Sequence, residues 1–144
     1  MERITWSGCL RRNLAKSVSP DTDLIQSLLV SSHNKIRSSQ KLPFEDFALS
    51  SKIILAYDAL REYLEAYSLS CSYKIYNHEC YAAFLLETHD LPTIADSFDR
   101  LRKIRNRINY YGEEVSLEQT KMLVKDIKDT LNKCKLHFNL TSKQ

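Results

Sequence analysis

The chain has 144 residues, of which 43% are apolar, and this is enough for one domain with a single packed core. Its two glycines exclude the glycine-rich phosphate loops of the Walker and Rossmann types, and together with three prolines they leave few positions at which a sheet could turn. The net charge of +3 says little about partners, but the segment 100–107 carries five basic residues and no acid.

No secretory segment is recognisable at the amino terminus, and the longest apolar run, 81–86, is far too short to span a membrane. We therefore expect a cytoplasmic protein with no membrane partner. The four cysteines include no Cys-x-x-Cys pair, so we expect reduced, partly buried thiols. Because Cys71, His78, Cys80 and His89 match no common zinc spacing, neither a metal nor a cofactor is predicted.

Apolar residues recur at helical spacing from about residue 21 onward. The preceding residues, 1–20, are predicted to form a mixed arm in which Trp6 packs on the remainder of the domain. Asp21 can cap a first helix over 21–39, and a long second helix is predicted over 44–69. The inward face predicted for that second helix comprises Phe47, Ile53, Ile54, Tyr57, Leu60, Leu64 and Tyr67.

Two further helices follow along the chain. Asn77 can cap a short third helix over 78–88. Pro92 fits the start of a fourth helix, and Gly112 fits the left-handed residue that ends it.

The carboxyl-terminal helix has the clearest start signal in the chain. Ser116 and Gln119 have the spacing of a capping box, which predicts a helix over 117–138. Strand signals are almost absent. The sequence therefore predicts an all-α domain over 21–138, an antiparallel up-and-down bundle of four main helices plus a short one, followed by a tail over 139–144.

The fourth helix carries a basic residue within its apolar face. Ile94, Phe98, Leu101 and Ile108 form an apolar stripe at about 100° per residue, and Arg105 falls in its middle. A guanidinium stays charged and is rarely buried without a partner. This position therefore requires a carboxylate, a cleft or a bound phosphate.

Polar side chains near Arg105 fit a phosphate or RNA site. On the helical wheel Asn109 lies about 40° from Arg105 and Arg102 about 60° away, so the three can line the rim of one groove. Arginine offers forked donors to phosphate, and asparagine both donates and accepts. Tyr110 and Tyr111 can supply stacking surfaces for bases.

A structural role for these basic residues is equally open. Arg105 can instead pair with a buried acid, from the second helix or from a partner subunit. Arg100, Lys103 and Arg107 project to the other side of the helix, where a solvated face is the favoured interpretation.

The segment 99–112, Asp-Arg-Leu-Arg-Lys-Ile-Arg-Asn-Arg-Ile-Asn-Tyr-Tyr-Gly, resembles the signature helix of archaeal HEPN domains, the "higher eukaryotes and prokaryotes nucleotide-binding" family. Segments 56–66 and 73–79 are similar to the long helix of that family and to the turn into its next helix. With the terminal helix, the resemblance covers 21–138. It implies a helical bundle that commonly dimerises.

In active HEPN members, Arg-polar-x-x-x-His motifs from two subunits meet in a cleft and cut RNA without a metal. The resemblance makes Arg105 the motif arginine and Asn106 its polar neighbour, and it places Tyr110 at the histidine position. A phenol titrates near about pH 10 and is a poor general base at neutral pH. Asn109 does not titrate at all. The family therefore implies RNA or a nucleotide as the ligand, whereas the side chains at these positions argue against an efficient nuclease.

Three hypotheses follow. The first is a HEPN-like homodimer that binds RNA, a nucleotide or another phosphate-bearing ligand in a cleft around Arg105, with Arg102, Asn106 and Asn109, and that has a nucleotidyltransferase-type protein as a possible partner. The second is a metal-independent, toxin-like endoribonuclease that uses Arg105 with Tyr110 or Asn109. The third is a non-catalytic protein-interaction module, in which Arg105 contacts an acid.

Overall fold

A computed structural model of the chain describes residues 3–140. Within these residues four long helices form a bundle, and the predicted all-α architecture is confirmed. The elements in chain order are α1 (Trp6–Arg11), β1 (Ala15–Ser17), α2 (Thr22–Lys41), a 3-10 turn (Asp46–Ala48), α3 (Leu49–Ser70), β2 (Tyr73–Ile75), α4 (Glu79–Ala83), a π-turn (Phe84–Thr88), α5 (Pro92–Tyr111) and α6 (Leu117–Phe138).

Helix α3 forms the centre of the bundle and packs against α2, α5 and α6. Its Tyr57, Leu60 and Leu64 are almost completely buried, as the predicted inward face requires. Phe47 was predicted on the same face, and that prediction is wrong because its side chain is 75% exposed. Helix α3 begins at Leu49 and not at residue 44, so Phe47 lies in the 3-10 turn, outside the helical periodicity.

The helix ends lie where their capping residues predict them. The Asp21 carboxylate accepts from the Leu24 N–H at 3.0 Å and begins α2. Ser116 and Gln119 form the reciprocal capping box at the start of α6, with hydrogen bonds of 2.9 and 3.1 Å. Gly112 ends α5 in the left-handed conformation, with φ of 63°. Local side-chain chemistry therefore fixes the boundaries of three helices.

Replacing Gly112 with alanine should destabilise the fold by about 1 kcal/mol, because a Cβ disfavours the left-handed conformation. The added methyl group would meet no other atom within 4 Å, so a steric clash makes no contribution. Urea denaturation of the purified variant measures the effect. An unchanged midpoint would show that this turn adopts another conformation in solution.

The amino-terminal arm packs on the bundle through structure that the sequence did not predict. Trp6 is 8% exposed and belongs to the core, which confirms its role as an anchor. The arm forms α1 and then β1, which pairs antiparallel with β2 so that Ala15 lies opposite Ile75. Three-residue strands are too short to show the alternation of apolar and polar residues by which strands are recognised.

A disulfide bond joins Cys9 of α1 to Cys80 of α4, so the prediction of reduced thiols is wrong for this pair. Both cysteines are completely buried. The bond spans 71 positions of sequence, which explains why no short spacing motif indicated it. Cys71 and Cys134 remain thiols, as predicted, and burial raises the pKa of Cys134 to about 12.

The short third helix is interrupted after five residues. Asn77 accepts from the Glu79 N–H at 2.8 Å, which confirms the predicted capping residue. The helix continues as a π-turn from Phe84 to Thr88, so residues 79–88 form two kinds of helical turn.

In the part of the chain from 3 to 140, no helix combines the length and the apolar character that crossing a bilayer requires.

Candidate functional site

The apolar face of α5 is confirmed. Ile94, Phe98, Leu101 and Ile108 are all buried against the bundle. Arg105 projects from the middle of this face, and its side chain is 13% exposed. The basic residue within the stripe is therefore largely buried, and its charge must be balanced by neighbouring groups.

Two aromatic rings hold the Arg105 guanidinium. Its central carbon lies 5.3 Å from the centre of the Tyr57 ring and 5.8 Å from that of Tyr110. A cation within about 6 Å of a ring face is attracted by the negative face of the ring. Tyr57 comes from α3 and Tyr110 from the last turn of α5, so the guanidinium lies between a buried phenol and an exposed one.

An acid from α3 compensates the charge of Arg105. The nearest Asp58 oxygen lies 3.6 Å from the guanidinium, which makes an ion pair that is longer than a hydrogen bond. The Nε atom of Arg105 is buried and has no hydrogen-bond partner among the described residues. A structural role for Arg105 requires an acid on the second main helix, and Asp58 is that acid. The ion pair nevertheless leaves some of the hydrogen-bond donors of the guanidinium without an acceptor among the described residues.

Arg102 is fixed by Asp99, one turn before it. Its Nη2 and Nε atoms donate to one Asp99 oxygen at 2.9 and 3.3 Å. Arg3 and Lys103 approach the other oxygen at 3.5 and 3.2 Å. Burial alone would raise the pKa of Asp99, but the hydrogen bonds from Arg102 and Lys103 outweigh burial and lower it below its usual value.

The other predicted site residues lie in the last two turns of α5. Asn106 is half-buried and Asn109 is exposed. A spacing of five places Tyr110 about 140° from Arg105 around an ideal helix, so the two meet only near a helix end. The helix does end there, since the N–H groups of Gly112 and Glu113 both donate to the Arg107 carbonyl.

Three basic residues line the opposite flank of α5, as predicted. Arg100 pairs with Asp126 of α6 at 3.4 Å, and Arg107 pairs with Glu113 at 3.2 Å. Both arginine side chains are about half exposed, and Lys103 is 61% exposed. The structure therefore separates a solvated basic flank from the buried guanidinium groups of Arg102 and Arg105.

His78 and Arg61 lie beside the buried guanidinium groups, and the sequence did not indicate either as a site residue. The His78 Nδ1 atom is 3.1 Å from the Tyr57 hydroxyl. Burial and, in decreasing order, the positive charges of Arg61, Arg105 and Arg102 together lower the pKa of His78 to about 4. We call these five residues, Tyr57, Arg61, His78, Arg102 and Arg105, the arginine–histidine cluster.

Arg61 and Glu65 are four positions apart on α3, a spacing that predicts a modest ion pair on the surface of the helix. The pair exists at 2.5 Å, but both side chains are more than four-fifths buried. Arg61 also lies 3.7 Å from Glu62, which forms an ion pair with Lys35 of α2. The pair thus belongs to the interior polar network that surrounds the cluster.

The residues considered as zinc ligands from the sequence do not form a metal-binding site. Cys80 is bonded to Cys9, and His78 contacts the Tyr57 hydroxyl. Among residues 3–140, no group of three or more histidine, cysteine, aspartate or glutamate side chains is arranged to hold a metal ion.

Comparison of the sequence with models of known protein families and with curated proteins finds no match. The resemblance to HEPN domains therefore stays a prediction that rests on segments 56–66, 73–79 and 99–112 of the sequence.

Proposed function

We propose that this chain is a HEPN-like domain that binds a phosphate-bearing ligand, RNA or a nucleotide, at the arginine–histidine cluster. The observation that carries the proposal is a largely buried guanidinium, that of Arg105, whose Nε atom has no hydrogen-bond partner among the described residues and whose central carbon lies 5.3 Å from the Tyr57 ring. The Tyr57 hydroxyl lies 3.1 Å from the His78 imidazole, whose pKa the charges of Arg61, Arg102 and Arg105 all lower. Guanidinium forks match the geometry of phosphate oxygens, and α3 and α5 hold them in place before a ligand arrives.

The charge distribution of α5 supports an anionic ligand. The helix carries five cations but only two carboxylates, Asp96 and Asp99. Since Asp99 is shared by Arg3, Arg102 and Lys103, it neutralises only one of the three charges that approach it. Asp96 pairs with Arg3, and acids from other elements, Asp58, Asp126 and Glu113, pair with arginines of α5. Among the residues that the structure describes, one uncompensated positive charge therefore remains along this helix, and it favours an anionic ligand.

Exposed aromatic residues beside the cluster support a ligand that contains bases. Tyr110 is 70% exposed and Tyr111 is 82% exposed. Base stacking on an aromatic ring is worth about 1–3 kcal/mol and tolerates any sequence. Tyr110 also contacts Arg105, so a stacked base would lie next to a guanidinium that can hold its phosphate.

In this proposal the domain works as a dimer and a binder, with a nucleotidyltransferase-type protein as a possible partner. The dimer follows from the HEPN resemblance alone. Weak or absent catalysis follows from Tyr110, which stands where an active HEPN member has histidine. Without a general acid or base at that position, a nuclease loses about 10²–10⁴ in rate.

Replacing Arg105 with alanine should weaken binding of a fluorescein-labelled 12-nucleotide oligouridylate by about 10- to 100-fold, which corresponds to one charged hydrogen-bonding group. Fluorescence anisotropy at about 50 mM salt measures the affinity, since salt weakens phosphate contacts. Arg37→Ala is the matched control, because Arg37 is exposed on α2 and its loss changes the net charge equally.

The Arg105→Lys variant keeps the positive charge but lacks the planar fork of the guanidinium. Its affinity for the oligouridylate should lie between those of the wild type and Arg105→Ala. Circular dichroism establishes that each variant is folded before binding is compared. Equal affinity of the wild type and a folded Arg105→Ala protein would remove Arg105 from the site.

A second candidate function is metal-independent RNA cleavage, which the contact between Arg105 and Tyr110 favours. It predicts that RNA is cut in the presence of EDTA and that Arg105→Ala abolishes the cutting. Intact RNA after incubation between about pH 6 and pH 10 would reject cleavage without affecting the binding proposal.

A third candidate is a plain interaction module, and the Asp58 ion pair is the contact that this hypothesis requires of Arg105. It predicts no salt-dependent affinity for RNA, so the anisotropy measurements above also distinguish it from the first proposal.

A further inference from the structure

Tyr57 connects the histidine to the arginines of the cluster. Its hydroxyl contacts the His78 Nδ1 atom at 3.1 Å, while its ring face lies 5.3 Å from the Arg105 guanidinium. The imidazole is 6.0 Å from the Tyr57 ring, centre to centre. His78 is half-buried and immediately precedes α4, so its position is fixed from one side by α3 and from the other by its own helix.

The charged and titratable groups that face His78 come from three helices. Helix α3 contributes Tyr57 and Arg61, α5 contributes Arg102 and Arg105, and α4 contributes Tyr81, whose ring centre lies 6.2 Å from the imidazole. Burial raises the pKa of both tyrosines, so they stay neutral at physiological pH. The charges that act on the imidazole are therefore those of the arginines. Burial is the largest cause of the lowered pKa of His78, and the arginine charges add to it, so the imidazole is held in its neutral form.

We propose that His78 is a further ligand-binding residue of this site, which takes up one proton from solvent when a terminal phosphate docks on Arg61, Arg102 and Arg105. The inference rests on the proposed function. A bound phosphate offsets the arginine charges, which add to burial in keeping the imidazole neutral. The step is a proton transfer: an N–H bond forms at a ring nitrogen of His78, a buffer acid loses the proton, and no bond between heavy atoms changes.

Protonation gives His78 a second N–H group. In the neutral imidazole one nitrogen donates and the other accepts, whereas both donate in the imidazolium. The Tyr57 hydroxyl can accept from Nδ1 in that state, and it is then free to donate its own proton to a phosphate oxygen. The docked ligand thus gains donors that are absent before it binds.

This coupling favours a phosphate monoester over a diester. A monoester carries a charge close to −2 at neutral pH, whereas the bridging phosphate of RNA carries −1. At about 6 Å and an effective dielectric constant of about 20, each negative charge shifts a neighbouring pKa by roughly two. A dianion should therefore raise the pKa of His78 from about 4 to about 8, and a monoanion only to about 6.

The first test measures the protonation of His78 directly. Histidine ring resonances are followed by NMR from pH 3.5 to 8 on the full chain, with and without sulfate, which remains a dianion over that range. The expected result is a pKa of His78 near 4 without sulfate and a rise of about four, toward 8, with saturating sulfate. An unmoved pKa with sulfate bound would overturn the proton coupling but leave the binding proposal standing.

The second test measures specificity with two probes that share one nucleoside. Adenosine 5′-monophosphate carries the monoester, and adenosine 3′,5′-cyclic monophosphate carries a diester. Calorimetry at pH 6.5 should show at least about tenfold tighter binding of the monoester, equivalent to one unit of pKa. Equal affinities would overturn the preference for a terminal phosphate. Binding of neither probe would overturn the role proposed for His78, whereas the oligouridylate measurement decides the proposed function independently.

His78→Gln assigns the coupling to this residue. Glutamine keeps a polar side chain but does not titrate, so the variant should bind both nucleotides with similar affinity. His33→Gln is the matched control, because His33 is exposed on α2, and this variant should keep the monoester preference. A His78→Gln protein that retains the preference would place the coupling elsewhere.

Discussion

Replacing Cys9 and Cys80 together with alanine should lower the free energy of unfolding by about 4 kcal/mol. The bond closes a loop of 71 positions, and a loop of that length restricts the unfolded chain by about this amount in the chain-entropy description. The loss is a large fraction of the 5–15 kcal/mol that is typical of a domain. Thermal and urea denaturation of the wild type and the double variant, both without reductant, measure the difference.

Chemical reduction of the disulfide bond tests the same prediction independently. Dithiothreitol should destabilise the wild type by a similar amount and leave the double variant unchanged. Cys71→Ala is the matched control, since Cys71 is a half-buried thiol outside the bond. Because both cysteines are buried, the reductant is added to the unfolded chain before refolding. A wild type whose stability is still insensitive to this treatment would show that Cys9 and Cys80 are thiols in solution, as the sequence alone suggested.

The bond also has a structural meaning for the arm. It fastens α1 to α4, while β1 pairs with β2 and the Trp6 N–H donates to Glu87 at 2.7 Å. Three different interactions thus hold the amino-terminal residues on the bundle. Disulfides persist in oxidising compartments and are rare in the cytosol, so the bond and the expected cytoplasmic location disagree.

Most of the helical architecture could be predicted because its signals are local. An Asp21 cap, a Ser116–Gln119 box and a left-handed Gly112 each depend on residues within one turn of the helix end. The apolar periodicity of α3 and α5 likewise depends only on spacing along the chain. The folded structure agrees with these predictions because it buries the helix faces that the spacing of apolar residues defines.

The features that the sequence did not reveal depend on residues far apart in the chain. The disulfide joins positions 71 apart, and His78 reaches the site through Tyr57, which lies 21 positions before it. The residues next to these positions in the sequence carry no pattern that predicts such long-range contacts. In the same way, periodicity located Arg105 on the inner face of α5, but it could not identify Asp58 as the acid that compensates it.

Replacing Asp99 with asparagine should destabilise the domain by about 3 kcal/mol at pH 7. Removing one partner of a buried ion pair costs about 3–5 kcal/mol, and the lower end applies because Arg3 and Lys103 retain access to water. Asparagine has nearly the same shape, so packing is preserved and the change reports the charge. Denaturant titration gives the free energy, with Asp126→Asn as the control because the Arg100–Asp126 pair is about half exposed and worth less than about 1 kcal/mol.

The pH dependence identifies the carboxylate as the origin of that difference. Because the folded pKa of Asp99 lies below its unfolded value of about 3.9, its stabilisation is complete above that value. It is lost as the pH falls through the lowered folded pKa, where wild type and Asp99→Asn should converge. A stability gap that stayed constant from pH 7 to about pH 2 would assign the effect to lost packing or hydrogen-bond geometry. Convergence would instead show that the carboxylate charge holds Arg102 against α5, which is the arrangement on which the arginine–histidine cluster depends.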